Sequence, residues 1–143
     1  MEACPFCGIA RKEFGAGIVH EGDLIAAFLD CGPIRPGHTQ IILRAHTPYF
    51  EDLPELTANR VIQLGQRLSR GMKALFGVER VAFVFTGGGV AHAHAHVLPT
   101  HDKTGITSRL YIVEETLTFR STPRAPPDDL AKIASQIRQA LTP

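Results

Sequence analysis

The chain has 143 residues and a net charge of +1, from fifteen Lys and Arg against fourteen Asp and Glu. Hydrophobic residues make up 44% of it and charged residues 20%, an ordinary globular composition that excludes a wholly disordered chain. The balanced charge argues against nucleic-acid binding by bulk electrostatics, and no apolar run approaches the ~20 residues that span a bilayer. We therefore predict one domain over residues 1–143 that binds neither nucleic acid nor membrane.

The N-terminal residues carry no sign of export. Residues 1–5 contain neither a basic region nor an apolar stretch. The chain has three cysteines, which cannot all pair with one another. We expect a cytoplasmic protein without structural disulfides.

Short strands dominate the first third of the sequence. Ile18–His20 and Leu24–Asp30 flank a Glu-Gly-Asp turn, and His38–Arg44 follows a loop rich in glycine and proline. These three segments predict neighbouring strands of an antiparallel sheet.

A long amphipathic helix is predicted over residues 54–76. Asp52 precedes it as an acidic cap, Pro54 lies in its first turn, and Gly77 follows its last turn. Apolar residues recur at helical spacing through the segment, at Val61, Leu64, Leu68, Met72 and Leu75.

The second half of the chain returns to strands. Arg80–Phe85 and Val90–Leu98 flank the glycine-rich loop Thr86–Gly89, and Arg109–Glu115 predicts one further strand. A proline-rich linker, Pro123–Pro127, precedes a short C-terminal helix. Mostly antiparallel strands with one long inserted helix predict an α+β fold with a sheet of about five strands.

Three histidines alternate with small residues over residues 92–97. Successive side chains of a strand point to opposite faces, so His92, His94 and His96 share one face. A helix can approach the other face closely because alanine adds little bulk there. Buried imidazoles need polar partners, so the pattern indicates a functional site, whereas the plain alternative is a solvated strand.

The loop Thr86–Gly89 directly precedes these histidines. Its glycines can present consecutive backbone N–H groups to a phosphate, although glycine runs also form plain turns. Next to a row of imidazoles, such donors would surround a phosphoryl group.

The segment Gly89–Pro99 resembles the signature of the histidine triad (HIT) family of nucleotide hydrolases and transferases. Three earlier blocks are similar to that family in the same order, namely Ala27–Asp30, Arg35–Thr39 and Ile42–His46. The resemblance covers residues 1–100 and leaves residues 103–143 as an extension of unknown role. It implies a HIT-like fold and a homodimer.

The resemblance also implies a chemistry. His94 would attack the α-phosphorus of a phosphoramidate, a dinucleoside polyphosphate or a related nucleotide ester, and water would hydrolyse the nucleotidyl-histidine formed. His96 would bind the phosphate oxygens, and His38 would order the histidines. Neither a catalytic metal nor an organic cofactor is implied.

An AMP-like purine nucleotide is the implied ligand. Asp30 would accept hydrogen bonds from the ribose hydroxyls. Phe6 and Phe28 would line the base pocket, with plain core packing as the alternative for both rings. The phosphate would be framed by Gly87, Gly89 and Val90.

Three positions depart from the family pattern. Gly88 and Gly89 stand where a glutamine and a small polar residue are usual, and Thr100 stands where an arginine is common. These changes remove side-chain ligands for phosphate, so a catalytically weak nucleotide-binding or regulatory module is the alternative. A metallohydrolase that uses the three histidines as ligands is a further alternative.

The pair Cys4 and Cys7 admits three interpretations: a redox site, two inert thiols, or half of a zinc site. The redox site needs a preceding strand, for which the three residues before Cys4 leave no room. The pattern resembles bacterial triad proteins in which two cysteines and two histidines hold a structural zinc ion. By this resemblance the ligands are Cys4, Cys7, His46 and His92.

Overall fold

The computed structural model describes residues 4–15, 17–101 and 123–142. In this part of the chain five strands form one sheet: β1 Ile18–Glu21, β2 Ile25–Leu29, β3 Thr39–Leu43, β4 Arg80–Val84 and β5 His94–Thr100. The α-helices are α1 Pro5–Ala10, α2 Glu55–Phe76 and α3 Pro127–Leu141, and Phe50–Asp52 forms a 3-10 helix. The predicted α+β class is confirmed.

The sheet has the order β1-β2-β3-β5-β4, and every neighbouring pair is antiparallel. After α2 the chain forms the edge strand β4 and then returns as β5 between β3 and β4. Strand β5 pairs with β3 over His94–Val97 and with β4 over His96–Thr100, so the end of the histidine-bearing segment has a partner on each side.

Each face of the sheet has its own apolar cluster. Ala93, Ala95 and Val97 belong to the larger cluster, which packs beneath α2 and α3. The opposite face carries His94 and His96 and a smaller cluster that includes Phe6 of α1. We call this second side the histidine face. The predicted alternation of residues 92–97 is confirmed.

Helix α2 ends as predicted but begins later. Gly77 has φ +64° and its N–H donates to the carbonyl of Lys73 at 3.0 Å. Asp52, predicted as the acidic cap, lies instead in the 3-10 helix, and Pro54 is the N-terminal cap. Because the residue before a proline is excluded from helical geometry, Leu53 is extended and separates the two helices.

The predicted strand Val90–Leu98 is wrong at its start, since β5 begins at His94. The N–H groups of Val90 and His92 each bond to the carbonyl two residues earlier, at 3.1 and 2.8 Å. The N–H of Ala93 donates to the carbonyl of Thr47 at 2.7 Å. These N–H groups therefore do not take part in the hydrogen bonds between the strands of the sheet, and His92 lies beside the loop that follows β3.

The C-terminal helix is confirmed as α3, while the predicted strand Arg109–Glu115 lies outside the described residues. Ala134 and Ile137 of α3 are buried in the larger cluster. Gly71 allows α2 to approach α3 closely, because a Cβ there would lie 3.1 Å from the Cβ of Ala140. The described part of the C-terminal extension thus contributes residues to the hydrophobic core.

Among the described residues, no helix combines the length and the apolar character needed to cross a membrane.

If α3 supplies core, then Ile137→Ala should destabilise the protein strongly. Ile137 is 1% exposed, and its truncation should cost about 2–4 kcal/mol of the free energy of unfolding. Ile62→Ala is the matched control, because Ile62 is 48% exposed and its truncation should cost less than about 0.5 kcal/mol. Urea denaturation of both variants measures the difference, and equal costs would contradict this role of α3.

Candidate functional site

The three alternating histidines have three different partners. His92 faces the thiols of Cys4 and Cys7, His94 faces a backbone carbonyl, and His96 faces His38. The ring nitrogens therefore do not converge on one point. This geometry does not fit a metallohydrolase centre in which the three histidines share an ion.

The protonation of His94 is set by its backbone contact. Its Nδ1 lies 2.7 Å from the carbonyl oxygen of His92. A carbonyl only accepts, so Nδ1 carries the proton of the neutral ring and Nε2 keeps its lone pair. The ring of Phe6 lies edge-on to His94 at a centroid distance of 4.9 Å, which limits rotation of the imidazole.

A second chain of hydrogen bonds fixes His38 and His96. The N–H of Ile34 donates to Nδ1 of His38 at 3.2 Å, so Nε2 carries the proton of His38. That Nε2–H lies 2.9 Å from Nδ1 of His96 and donates to it. His96 consequently carries its own proton on Nε2 and can donate it to a ligand.

Burial keeps both of these imidazoles neutral. Burial and the neighbouring His38 and His94 lower the pKa of His96 to about 4. Burial also lowers the pKa of His38, against the opposing effect of the Asp30 carboxylate. Both rings are therefore neutral near pH 7, as the hydrogen-bond directions require.

Asp30 directly succeeds β2 and lies next to this pair. Its Oδ1 accepts the N–H of Gly32 at 2.8 Å, and its Oδ2 accepts the side-chain amide of Gln40 at 2.6 Å. Oδ2 is also 3.9 Å from Nε2 of His38. Each carboxylate oxygen has two lone pairs, so Asp30 retains capacity to accept from a ligand.

The group Asp30, His38 and His96 places donor atoms within 4.8 Å of one another, which raises the question of a cation. Since Nδ1 of His38 accepts from Ile34, its Nε2 bears the proton and has no lone pair to offer. The group is therefore a hydrogen-bonded network and not a metal site.

Phe6 and Phe28 form an apolar wall beside the histidines. Their ring centroids are 5.7 Å apart, the two residues are 8% and 5% exposed, and Val90 packs against their cluster. A cavity of about 710 Å³ adjoins Phe28, and Cys31 lies on its lining. Both rings thus pack in one cluster beside the histidines, and Phe28 also borders the cavity.

The glycine loop offers backbone only. Gly87 and Gly89 have φ of +68° and +82°, and a Cβ added at either would meet nothing within 4 Å. Positive φ explains the glycines at these two positions, because other residues rarely adopt it. Thr100, which stands in place of the family's arginine, donates its hydroxyl to the carbonyl of Arg80 at 2.9 Å.

The cysteines and two histidines form a compact cluster. Ligand atoms of Cys4, Cys7, His46 and His92 all lie within 4.8 Å of one another. The Sγ···Nδ1 distances are 3.4 Å for Cys4–His92 and Cys7–His46, and 3.5 Å for Cys7–His92. Tetrahedral zinc with bonds of about 2.3 Å to sulfur and 2.0–2.1 Å to nitrogen places these atoms about 3.5 Å apart. The four residues therefore fit zinc.

The surroundings of the cluster agree with this fit. Nε2 of His92 donates to the carbonyl of Leu43 at 2.9 Å, which leaves the lone pair on the Nδ1 that faces the sulfurs. Burial and the adjacent Cys4 thiol raise the pKa of Cys7. A bound cation would instead favour the thiolate of Cys7.

Sequence reasoning missed Gln40. It lies in β3 with its side chain among the proposed site residues, and only 8% of it is exposed. The sequence offered one sign of its importance, because Gln40 is a polar residue in a strand that continues as Ile-Ile-Leu. Asp30 follows the end of β2, and the pairing of β2 with β3 brings the two residues together.

Comparison with known proteins identifies the family. The family model described as HIT domain matches residues 11–103. An uncharacterised HIT-like protein of Borreliella burgdorferi is 31% identical over 112 residues, which are 73% of this chain and 81% of that protein. An adenosine 5'-monophosphoramidase of Saccharomyces cerevisiae is 30% identical over 106 residues, which are 73% of this chain and 67% of that enzyme.

A solved structure agrees with these relatives. The Zn-bound histidine triad family protein from Mycobacterium smegmatis superposes with a TM-score of 0.75 and 26% identity, over 97% of this chain and 93% of that one. The alternating histidines, the sheet that carries them and the match over residues 11–103 lead to one conclusion. The chain belongs to the HIT domain family, the histidine triad proteins.

Proposed function

We propose that this protein hydrolyses or transfers purine nucleotides at the α-phosphate, through a nucleotidyl-histidine formed on His94. The observation that carries the proposal is the bond from Nδ1–H of His94 to the carbonyl of His92, 2.7 Å long. It leaves the Nε2 lone pair for attack on phosphorus without any need for a base. The yeast relative, named an adenosine 5'-monophosphoramidase, supports this class of substrate.

The reaction would proceed in two displacements at the α-phosphorus, each of which forms one bond and breaks another. Nε2 of His94 forms a bond to the α-phosphorus while the bond to the leaving group breaks, and the leaving group departs with the electron pair and takes up a proton from solvent. Water then attacks the same phosphorus and releases a proton to solvent, the P–N bond breaks with its electron pair returning to Nε2, and the nucleoside monophosphate leaves. Nε2–H of His96 donates to the phosphate oxygens, on which negative charge grows in both transition states.

The remaining residues would hold the nucleotide. Asp30 would accept hydrogen bonds from the ribose, and the base would lie beside Phe6 and Phe28, whose rings form an apolar wall next to the histidines. The backbone of the loop before the triad would meet the phosphate, at Gly87, Gly89 and Val90.

One observation favours a weaker function. Thr86 is the one residue of the loop Thr86–Gly89 that is not glycine, and the hydroxyl of Thr100 already donates to the carbonyl of Arg80. With only backbone N–H groups and Nε2–H of His96 as phosphate donors, the site would bind a nucleotide and turn it over slowly. The second candidate is therefore a nucleotide-binding or regulatory module.

Replacing His94 separates the two candidates. We expect wild type to cleave at least one of an adenosine phosphoramidate, an adenylyl-lysine and a diadenosine polyphosphate. His94→Asn should retain AMP binding and lose at least ~100-fold in turnover, because the nucleophile is gone. His101→Asn, which alters an exposed histidine, should behave as wild type.

Turnover is measured by chromatography of the released AMP. If His94→Asn retains wild-type turnover, the covalent mechanism is wrong. If wild type cleaves none of the three and both proteins bind AMP, the binding module is the function.

The second part of the proposal is a structural zinc ion held by Cys4, Cys7, His46 and His92. Four protein ligands close such a site, so the bound ion would crosslink the chain and would not meet substrate. The crosslink would join α1, which contains only six residues, to the segment before β5. Phe6 lies between the two cysteines in the sequence, so the crosslink would also hold its ring against His94.

Metal analysis checks the zinc site. Wild type purified without added metal should contain about one zinc per chain. Cys7→Ser should lose most of that zinc and lower the melting temperature, whereas Cys31→Ser, at an exposed cysteine outside the cluster, should change neither. Elemental analysis measures the zinc content and thermal denaturation measures the melting temperature. A wild type that purifies without zinc, and whose melting temperature a chelator does not change, would contradict the site.

The third part of the proposal is a homodimer formed along the edge strand β4. An edge strand leaves backbone N–H and C=O groups unpaired on one side, and a second copy can pair with them about a two-fold axis. Large apolar side chains lie near this edge. Phe50 is 59% exposed and its ring lies 4.9 Å from that of Phe85, which is the residue directly after β4, and Tyr49 is also 59% exposed.

Light scattering behind size exclusion measures the assembly. Wild type should have the mass of two chains, and Phe50→Asp should weaken the dimer at least about tenfold by placing a charge in the apolar contact. Phe14→Asp is the control, because Phe14 is 57% exposed and lies next to Gly8 of α1. A monomeric wild type, or equal effects of the two variants, would contradict this interface.

A further inference from the structure

Gln40 lies on the histidine face between two proposed binding residues. It pairs across the sheet with Phe28 of β2 on one side and with His96 of β5 on the other. Residues paired in this way project to the same face of a sheet. A nucleotide with its base beside Phe28 and its phosphate beside His96 would therefore carry its sugar directly over Gln40.

The orientation of the Gln40 amide is determined by Asp30. Nε2 donates to Oδ2 of Asp30 at 2.6 Å, and the reversed amide would bring two acceptors into contact. The amide oxygen Oε1 consequently faces away from the carboxylate. This direction is a consequence of charge, since a carboxylate can only accept.

The amide oxygen of Gln40 is buried and has no donor among the described residues. The side chain belongs to a residue that is only 8% exposed. Most buried acceptors in folded proteins are paired, and one without a donor carries an uncompensated desolvation cost. An acceptor held in this state between Phe28 and His96 is suited to a ligand that brings its own donor.

We propose that Gln40 is a ribose-specificity residue, whose Oε1 accepts a hydrogen bond from one of the two vicinal ribose hydroxyls while Asp30 accepts from the other. The inference rests on the proposed function, which places a nucleotide on this face. Gln40 also acts as a positioning residue, because its N–H holds the carboxylate of Asp30 in place. The site therefore selects ribonucleotides over deoxyribonucleotides by two adjacent acceptors.

Two acceptors predict a specific pattern of discrimination. A deoxynucleotide that lacks one hydroxyl leaves one buried acceptor unpaired, and the loss of a hydrogen bond to a buried group weakens binding by about tenfold or more. Wild type should therefore bind AMP at least about tenfold more tightly than 2'-deoxy-AMP and than 3'-deoxy-AMP.

Gln40→Leu tests the assignment. Leucine keeps the burial and removes the acceptor, so discrimination against one of the two deoxy analogues should fall to less than about threefold. Discrimination against the other analogue should fall less, because the carboxylate of Asp30 remains and still accepts the N–H of Gly32. Gln66→Leu makes the same chemical change at an exposed position of α2 and should match wild type. Calorimetric titration of the full-length, zinc-loaded proteins gives all these ratios.

Gln40→Glu allows a second measurement, the pH dependence of AMP affinity, which would not change if Gln40 had only a structural role. The introduced carboxyl would face Asp30, and two carboxyl groups at this distance bind a proton between them. A protonated Glu can donate to Asp30 as the amide does, whereas an ionised Glu repels it. The affinity of Gln40→Glu for AMP, relative to wild type at the same pH, should therefore rise as the pH falls from 8 to 5.5.

The results distinguish this inference from the proposed function. If wild type binds AMP but Gln40→Leu discriminates against both analogues as wild type does, the role of Gln40 is overturned and the proposed function stands. A pH-independent affinity ratio for Gln40→Glu would likewise overturn the positioning of Asp30. If wild type binds no nucleotide, the proposed function fails, and the ribose assignment fails with it.

Discussion

The site depends on the alternation of side chains along residues 92–97. Ala95 and Val97 are fully buried beneath α2, so the strand cannot rotate without exposing its apolar side. The histidines consequently all project to the opposite face. There each ring meets a different element: His92 reaches α1 and the loop of His46, His94 turns to its own backbone, and His96 meets the start of β3.

Backbone groups then decide which nitrogen of each imidazole is available. The carbonyl of Leu43 accepts a hydrogen bond from Nε2–H of His92, and the carbonyl of His92 accepts one from Nδ1–H of His94. The N–H of Ile34 donates to Nδ1 of His38. A peptide N–H only donates and a peptide carbonyl only accepts, so each of these contacts fixes which ring nitrogen carries the proton. Three identical side chains thereby acquire three distinct hydrogen-bonding states: His92 keeps a lone pair on Nδ1, His94 keeps one on Nε2, and His96 carries its proton on Nε2.

The two ends of the chain stabilise opposite sides of the sheet. Helix α3 adds Ile137 and Ala134 to the large cluster, on the side away from the histidines. Helix α1 is too short to be stable alone and depends on the contacts of Phe6 and the two cysteines with the histidine face. The cysteine–histidine cluster is therefore coupled to the site through the Phe6 ring, which touches both His92 and His94.

Local periodicity and motif spacing in the sequence were enough to predict helix α2, its glycine end and the separation of histidines from alanines. Each of these features depends on residues within a few turns of one another. The tertiary structure was needed to place the start of β5 at His94, since the N–H of Ala93 is taken by Thr47. It was also needed to bring Gln40 to Asp30, through the pairing of β2 with β3. These contacts join segments that only the folded sheet brings together, so no local pattern in the chain could reveal them.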